Sequence, residues 1–256
     1  MKSSEPGRRR FLVRALAAGS GMLLAGCDRL SQTEWFPKIL ASGEKLSQGA
    51  QELVTSRRPM AQEFGEADLS PTFRSNGTAN PADALYQTLA ANGFADYRLQ
   101  VSGLVERPGD FSLAKLRALP SRTQITRHDC VEGWSAIGKW KGARLSALLE
   151  QARPTPEARY VVFHCADPMD QAGTRYYESI DMEDAYHPQT ILAYELNDQA
   201  LPIKNGAPIR VRVERQLGYK MAKYIMRIEL VAGFENIAGG KGGYWEDRGY
   251  EWFAGI

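Results

Sequence analysis

Thr126-Arg-His-Asp-Cys-Val-Glu-Gly-Trp-Ser135 is the stretch from which the rest of the chain is best read. It places Cys130 two positions after His128 and four before Trp134. The whole chain holds three cysteines, Cys27, Cys130 and Cys165, and three histidines, His128, His164 and His187. Phe163-His164-Cys165 forms the second His/Cys pairing. A pair of body cysteines leaves three readings open: a disulfide, the default in an oxidising compartment; a metal thiolate; or two inert thiols. Zinc fits poorly, because neighbours on a strand face opposite sides and the spacing matches no paired zinc pattern.

Working outward, Asn80-Pro81 followed by Ala82 to Asn92 and Gly93 predicts a helix, with Asn80 as N-cap, Pro81 in the first turn and Gly93 as the stop. Arg98 to Val105 alternates apolar and polar residues as a half-buried strand does, and Pro108-Gly109-Asp110 turns the chain. Ser112 to Leu119 and Leu145 to Ala152 predict short helices ended by Pro120 and Pro154. Tyr160-Val-Val-Phe-His-Cys165 is an apolar run of strand length. Ile209-Arg-Val-Arg-Val-Glu-Arg215 alternates strictly and turns its arginines to one face; Tyr224 to Val231 repeats the pattern. Short helices among many strands, without a βαβ rhythm, indicate an α+β domain with mixed β-sheets. No internal repeat, phosphate loop or dinucleotide fingerprint is present.

The chain has 256 residues, 43% hydrophobic and 24% charged, as expected of a globular protein. Its net charge of +2 belongs to the leader: within residues 1–26, five basic residues against Glu5 give +4, leaving −2 for the remainder. A near-neutral body without a basic run argues against nucleic acid. Arg8-Arg9-Arg10-Phe11-Leu12 precedes an apolar stretch, Val13 to Ala25, too short to span a bilayer at ~1.5 Å per residue, so residues 1–26 are expected to be a signal peptide. The paired arginines resemble a twin-arginine export signal. Leu24-Ala-Gly-Cys27 resembles a lipoprotein box, and Asp28 the signal for inner-membrane retention. The expected location is the periplasm, with attachment to the inner membrane only through a lipid on Cys27. In the plainer reading, Cys27 merely lies near a cleavage site. Residues 27–70 are polar and read as a tether or arm, leaving 71–256 as the folded domain.

Cys130 followed by Val-Glu-Gly-Trp-Ser resembles the metal-ligand segment of the sulfite-oxidase family of molybdopterin-dependent oxidoreductases, and within it the periplasmic methionine-sulfoxide reductases. The likeness extends through His187-Pro-Gln-Thr190, Ala200-Leu-Pro-Ile-Lys-Asn-Gly-Ala-Pro-Ile-Arg210 and Gly218-Tyr-Lys-Met-Ala-Lys223, covering roughly residues 70–231. It implies a sulfite-oxidase-type molybdopterin-binding fold with a molybdenum cofactor (Mo-molybdopterin) and Cys130 as catalytic metal ligand. It implies cofactor contacts at Asn205, Arg210, Met221, Ala222 and Lys223, with looser matches at Arg74 and Asn76. Soft sulfur suits a metal that changes oxidation state, and Arg and Lys suit the cofactor's phosphate.

Two departures stand out. Cys165 falls where those reductases carry a cofactor-contacting Thr, which makes it a possible cofactor neighbour. Asp129 replaces an Arg beside the metal-binding cysteine, which bears on redox potential and substrate. The implied activity is transfer of an oxygen atom to or from a small S- or N-oxide. Electrons would be exchanged with a separate haem protein, since the chain has no Cys-x-x-Cys-His motif. A monomer is expected, because the dimerisation domain of eukaryotic sulfite oxidases has no counterpart here. Read without the resemblance, Arg210 and Lys223 are surface charges, Asn205-Gly206 is a turn, and Trp134 and His128 are core or pocket wall. His187 reads as structural, and the aromatics within Gly239 to Trp252 either line an entrance or seal the sheet. The alternative function is a non-catalytic exported lipoprotein that keeps the fold as a binding module, its two body cysteines disulfide-bonded.

Overall fold

The computed structural model describes Thr33, Trp35 and residues 59–256. The leader, the lipid box and most of the polar arm lie outside the described residues. The chain divides into two units, Met1–Ser56 and Arg57–Ile256, and the description below concerns the second.

Its strands are β1 (Arg98–Gly103), β2 (Gly109–Ser112), β3 (Ser121–Asp129), β4 (Ser135–Arg144), β5 (Tyr160–Pro168), β6 (Arg175–Asp181), β7 (Ile191–Leu196), β8 (Gln199–Ala200), β9 (Arg210–Arg212) and β10 (Ile225–Val231). Helices α1 (Ala84–Ala91), α2 (Leu113–Arg117), α3 (Leu145–Ala152) and α4 (Met182–Tyr186) are short. One five-stranded sheet runs β2-β1-β10-β5-β6; the other runs β3-β4-β7-β8, with β9 also paired to β7. The β1–β10 pair is parallel and the others antiparallel. The architecture is therefore α+β with mixed sheets.

Hydrophobic patterning explains the core. Leu99 and Val101 alternate inward on β1, beside Ile228 and Leu230 of β10, and all four are fully buried with Val161, Val162 and Phe163 of β5. Leu145, Leu148, Leu149 and Ala152 put one face of α3 into the same core; truncating one of these leucines to Ala would cost about 2–5 kcal/mol. Arg153 ends α3 in a left-handed conformation, φ 56°, its N–H donating to the Leu149 carbonyl.

Several expectations are corrected. Asp83, not Asn80, caps α1, because its Oδ1 accepts the Tyr86 N–H at 2.9 Å while Asn80 accepts from Gln87 Nε2. The packed body begins before residue 71: Phe64 N–H donates to the Ile125 carbonyl, and Ser70 Oγ accepts the Ile137 N–H. The predicted strand over 209–215 is only Arg210–Arg212, and both arginines are buried, so the reading of Arg210 as a surface charge does not hold. Cys130 and Cys165 are free thiols. Cys130 occupies the β3–β4 loop and Cys165 a core position on β5 of the other sheet, so the expected disulfide of the binding-module reading does not form. Among the described residues no helix is long and apolar enough to cross a membrane.

Candidate active site

Cys130 is the first residue of the loop joining β3 to β4. Its N–H donates to the Trp134 carbonyl and its own carbonyl accepts the Gly133 N–H, both at 2.9 Å. Gly133 supplies the positive φ of 83° that this tight loop needs. Asp129, just before the thiol, accepts from Arg127 Nε at 2.9 Å and from Ser135 Oγ, so its charge is paired across the hairpin mouth. The exchange of Arg for Asp here thus comes with its own counter-cation.

The thiol faces a cavity of about 180 Å³ that also has Asn76, Asp167, Tyr176, Met221 and Lys223 in its wall. Asn76 Nδ2 donates weakly to Cys130 Sγ at 3.8 Å. Burial, and the Glu132 charge less strongly, push the thiol's pKa up, while the Glu132 backbone N–H, Asn76 and Arg74 favour the thiolate. Also in the wall, Trp245 and Tyr250 stack with centroids 5.2 Å apart, and Tyr219 meets Tyr250 edge-on at 5.3 Å. The C-terminal aromatics therefore divide their work. Trp245 and Tyr250 line the cavity, whereas Trp252 packs against Tyr160 and Phe234.

A largely buried cationic cradle begins in this wall at Lys223 and continues through Arg210 and Arg212. Lys223 Nζ donates to the carbonyls of Asn76 at 2.6 Å and Thr78 at 2.7 Å. Arg210 donates to the carbonyls of Asn205 and Met221 at 3.1 and 3.2 Å and lies 5.2 Å over the Trp140 ring. Burial and then the neighbouring Arg212 bring Arg210 down to about 9; burial and then Arg210 bring Lys223 down to about 8. Only Arg212 is paired outright, through Nε and Nη2 to the two oxygens of Glu214 at 2.9 and 2.6 Å. Asp167 is the acidic group near Lys223, and burial lifts it to about 6. Arg210 Nε and Asn205 Nδ2 are buried without a hydrogen-bond partner. Unsatisfied buried donors beside surplus positive charge are the chemistry of an anion site.

His128 joins the two parts. Arg212 Nη1 lies 2.9 Å from His128 Nδ1, and since a guanidinium only donates, Nδ1 accepts and the ring proton sits on Nε2. Burial, with Arg212 next in weight, holds its pKa well below the usual histidine value. The ring leaves space for nothing but hydrogen at residue 218, where an added Cβ would lie 2.5 Å from the imidazole. Gly218 opens the Gly218–Lys220 turn, which delivers Met221 to the cavity.

That turn carries a second buried lysine. Lys220 Nζ donates to Glu178 Oε1 at 2.5 Å and Glu246 Oε1 at 2.6 Å, with all three side chains buried. Burial, and Glu246 beside it, push the pKa of Glu178 well up against the pull of Lys220.

Of the expected positions, Cys130, Asn76, Met221 and Lys223 share the cavity wall. Asn205, Arg210 and the buried Ala222 form the layer behind it, with the Ala222 carbonyl accepting the Val211 N–H. Arg74 lies 5.4 Å over the Trp134 ring. Cys165 is buried outside the wall, with Sγ 4.0 Å from the Phe163 carbonyl. His187 accepts the Gln189 N–H at 3.3 Å, a structural contact. Sequence reading missed Asp167, Tyr176, Arg212 and the Glu178–Lys220–Glu246 cluster. Among the described residues, no three His, Cys, Asp or Glu side chains converge as a metal site. The described residues thus offer a metal at Cys130 no such cluster of further ligands. Lone thiol, unsatisfied donors and cationic surplus fit a metal carried by an anionic organic cofactor.

The family model for the oxidoreductase molybdopterin binding domain matches residues 87–236, and the chain belongs to that family. It is thus an enzyme of the sulfite-oxidase class of molybdopterin-dependent oxidoreductases. Among curated relatives, the putative protein-methionine-sulfoxide reductase subunit YedZ1 of Azospira oryzae is 37% identical over 98% of this chain and 88% of its own length. The protein-methionine-sulfoxide reductase catalytic subunits MsrP of Xanthomonas axonopodis pv. citri and Burkholderia mallei are 38% and 33% identical. They align over 87% and 88% of this chain and 70% and 69% of theirs. A crystal structure of the sulfane dehydrogenase SoxCD from Paracoccus pantotrophus overlaps in part, with TM-score 0.48 and 26% identity over 54% of this chain and 39% of that one.

Proposed function

We propose that this enzyme removes the oxygen atom from S-oxides of the methionine-sulfoxide kind, using a molybdenum cofactor held at Cys130. The observation that carries the reading is the lone free thiol in the cavity wall, backed by unsatisfied buried donors of Asn205 and Arg210. The names of the relatives support the reductive direction.

When bound, the molybdopterin centre supplies two-electron oxygen-atom transfer. Cys130 would hold the metal. Arg210, Asn205 and Lys223 would hold the cofactor's anionic end, with Met221 and Ala222 against it through their backbone. Asn76 would orient the Cys130 sulfur, and Arg74 would add positive charge beside it. Tyr219, Trp245 and Tyr250 would exclude water and take the apolar flank of the sulfoxide. Electrons would come from a separate haem protein. Twin-arginine export, a periplasmic location and a lipid on Cys27 belong to the same proposal and rest on the leader sequence alone.

Two measurements test it. Purified protein should contain about one molybdenum per chain, as a single-thiolate site requires. Cys130→Ser should keep the far-ultraviolet circular dichroism of the parent while losing turnover of methionine sulfoxide with reduced viologen. Full activity in that variant would end the assignment.

A further inference from the structure

We propose that the groove across one face of the β2-β1-β10-β5-β6 sheet is the docking site of a separate electron carrier whose redox centre is ringed by carboxylates. This inference rests on the sulfoxide-reductase reading, since that reaction needs electrons from outside the chain.

The groove follows from strand register. Gln100, Arg227, His164 and Tyr177 are successive cross-strand partners. Arg98 and Arg175 lie two residues along from Gln100 and Tyr177, and so share that face. The groove measures about 810 Å³, with Arg98, Arg175 and Arg227 in its wall against the single carboxylate of Glu229. That carboxylate is already engaged, accepting from Arg227 at 2.7 Å and lying 2.8 Å from His164. Arg175 is paired with Asp83 outside the lining. Arg98 donates only to the backbone carbonyls of Tyr97 and Ala95, and among the described residues it meets no carboxylate. Among the described residues its charge is left open to a partner's carboxylate. Met226 and the exposed Leu85 add apolar surface at the same place, the mixture of methionine, arginine and apolar area that protein interfaces favour.

Position is the second line of support. Tyr176 belongs to the wall of this groove and to the wall of the Cys130 cavity. Cys165 in the groove and Asp167 in the cavity lie two residues apart on β5. The two spaces thus meet at the Tyr176 side of the wall. Electron transfer weakens steeply with distance, so a carrier seated here is well placed to deliver electrons. Each sulfoxide takes up two electrons and two protons and leaves as the sulfide plus water. Two reduced haem carriers become oxidised per turnover, with protons drawn from solvent.

The test uses the cofactor-loaded full chain, methionine sulfoxide, and the reduced soluble domain of an acidic b5-type cytochrome as probe. Arg98→Glu should lower the cytochrome-driven kcat/KM about tenfold at low salt, with the difference fading as salt screens the charges. Leu85→Asp should lower it roughly threefold through lost contact and like-charge repulsion. Viologen-driven turnover should stay unchanged in both. Titration of the oxidised cytochrome should show the same loss of affinity without any catalysis. Unchanged cytochrome rates and affinities would overturn the proposal, as would a parallel fall with viologen. Release of both variants from phosphatidylglycerol vesicles, with cytochrome affinity intact, would assign the face to a membrane instead. If the parent turns over no sulfoxide with either reductant, the activity reading fails, and the titration still decides the groove.

Discussion

Lys220 and Lys223 stand three positions apart in the same segment and end in opposite circumstances. Lys220 is enclosed by two carboxylates at 2.5 and 2.6 Å. Lys223 finds two backbone carbonyls instead, and burial together with Arg210 brings it down to about 8. The first cluster satisfies its own cation and holds the C-terminal segment through Glu246. The second leaves positive charge and unsatisfied donors facing the cavity. Buried charge alone does not mark a functional site; buried charge lacking its counter-charge does.

The contrast can be broken most directly at Lys220. Lys220→Met leaves the buried Glu246 carboxylate without its cation and Glu178 without its donor, and should cost about 3–5 kcal/mol in urea unfolding; a loss under about 1 kcal/mol would mean the cluster is not structural. Lys223→Met should behave differently. Relief of repulsion with Arg210 offsets the lost carbonyl contacts, so the cofactor-free protein should stay within about 1 kcal/mol of the parent. Molybdenum retained through purification should meanwhile fall roughly tenfold. Retention unchanged from the parent would remove Lys223 from the cofactor site.

The smallest effect is at Glu178. Its pKa is raised in the folded state, so the proton it keeps stabilises the fold below the unfolded value, and that stability is lost as pH climbs through the folded value. Glu178→Gln mimics the protonated form and keeps an oxygen to accept from Lys220. It should therefore cost under about 1 kcal/mol at neutral pH and flatten the alkaline decline in melting temperature. An identical decline in both proteins would place that titration elsewhere.

Residues alone leave Cys130 open between disulfide, metal thiolate and inert thiol, Asn205 a turn and Arg210 a surface charge. Only the resemblance to the sulfite-oxidase family singles these three out, and the structure puts Cys130 in the cavity wall and buries Asn205 and Arg210. Strand β3 was not legible as a strand: its inward residues Gln124, Thr126 and His128 are polar and buried, so the apolar alternation that marks a strand is missing. Gln124 and His128 meet the Arg212–Glu214 pair, with Gln124 Nε2 donating to Glu214 Oε1 at 2.8 Å and Arg212 Nη1 to His128 Nδ1 at 2.9 Å. Polarity demanded by the interior erased the usual signal. Asp167, Tyr176 and the Lys220 cluster were hidden for another reason, since their meaning depends on partners brought together from distant strands. The alternation over 209–215 is strand-like and sets its arginines on one face, but nothing local announces that this face is buried, with Trp140 over both arginines and Glu214 paired to Arg212.

One consequence follows from how Lys223 reaches back to the carbonyls of Asn76 and Thr78, a separation of 147 and 145 residues. The chamber beside Cys130 is framed by both early and late parts of the body, so a nascent chain on the ribosome has no such receptacle until residue 223 has emerged. A fragment cut between Thr78 and Lys223 would carry the wall residues of one side without the other.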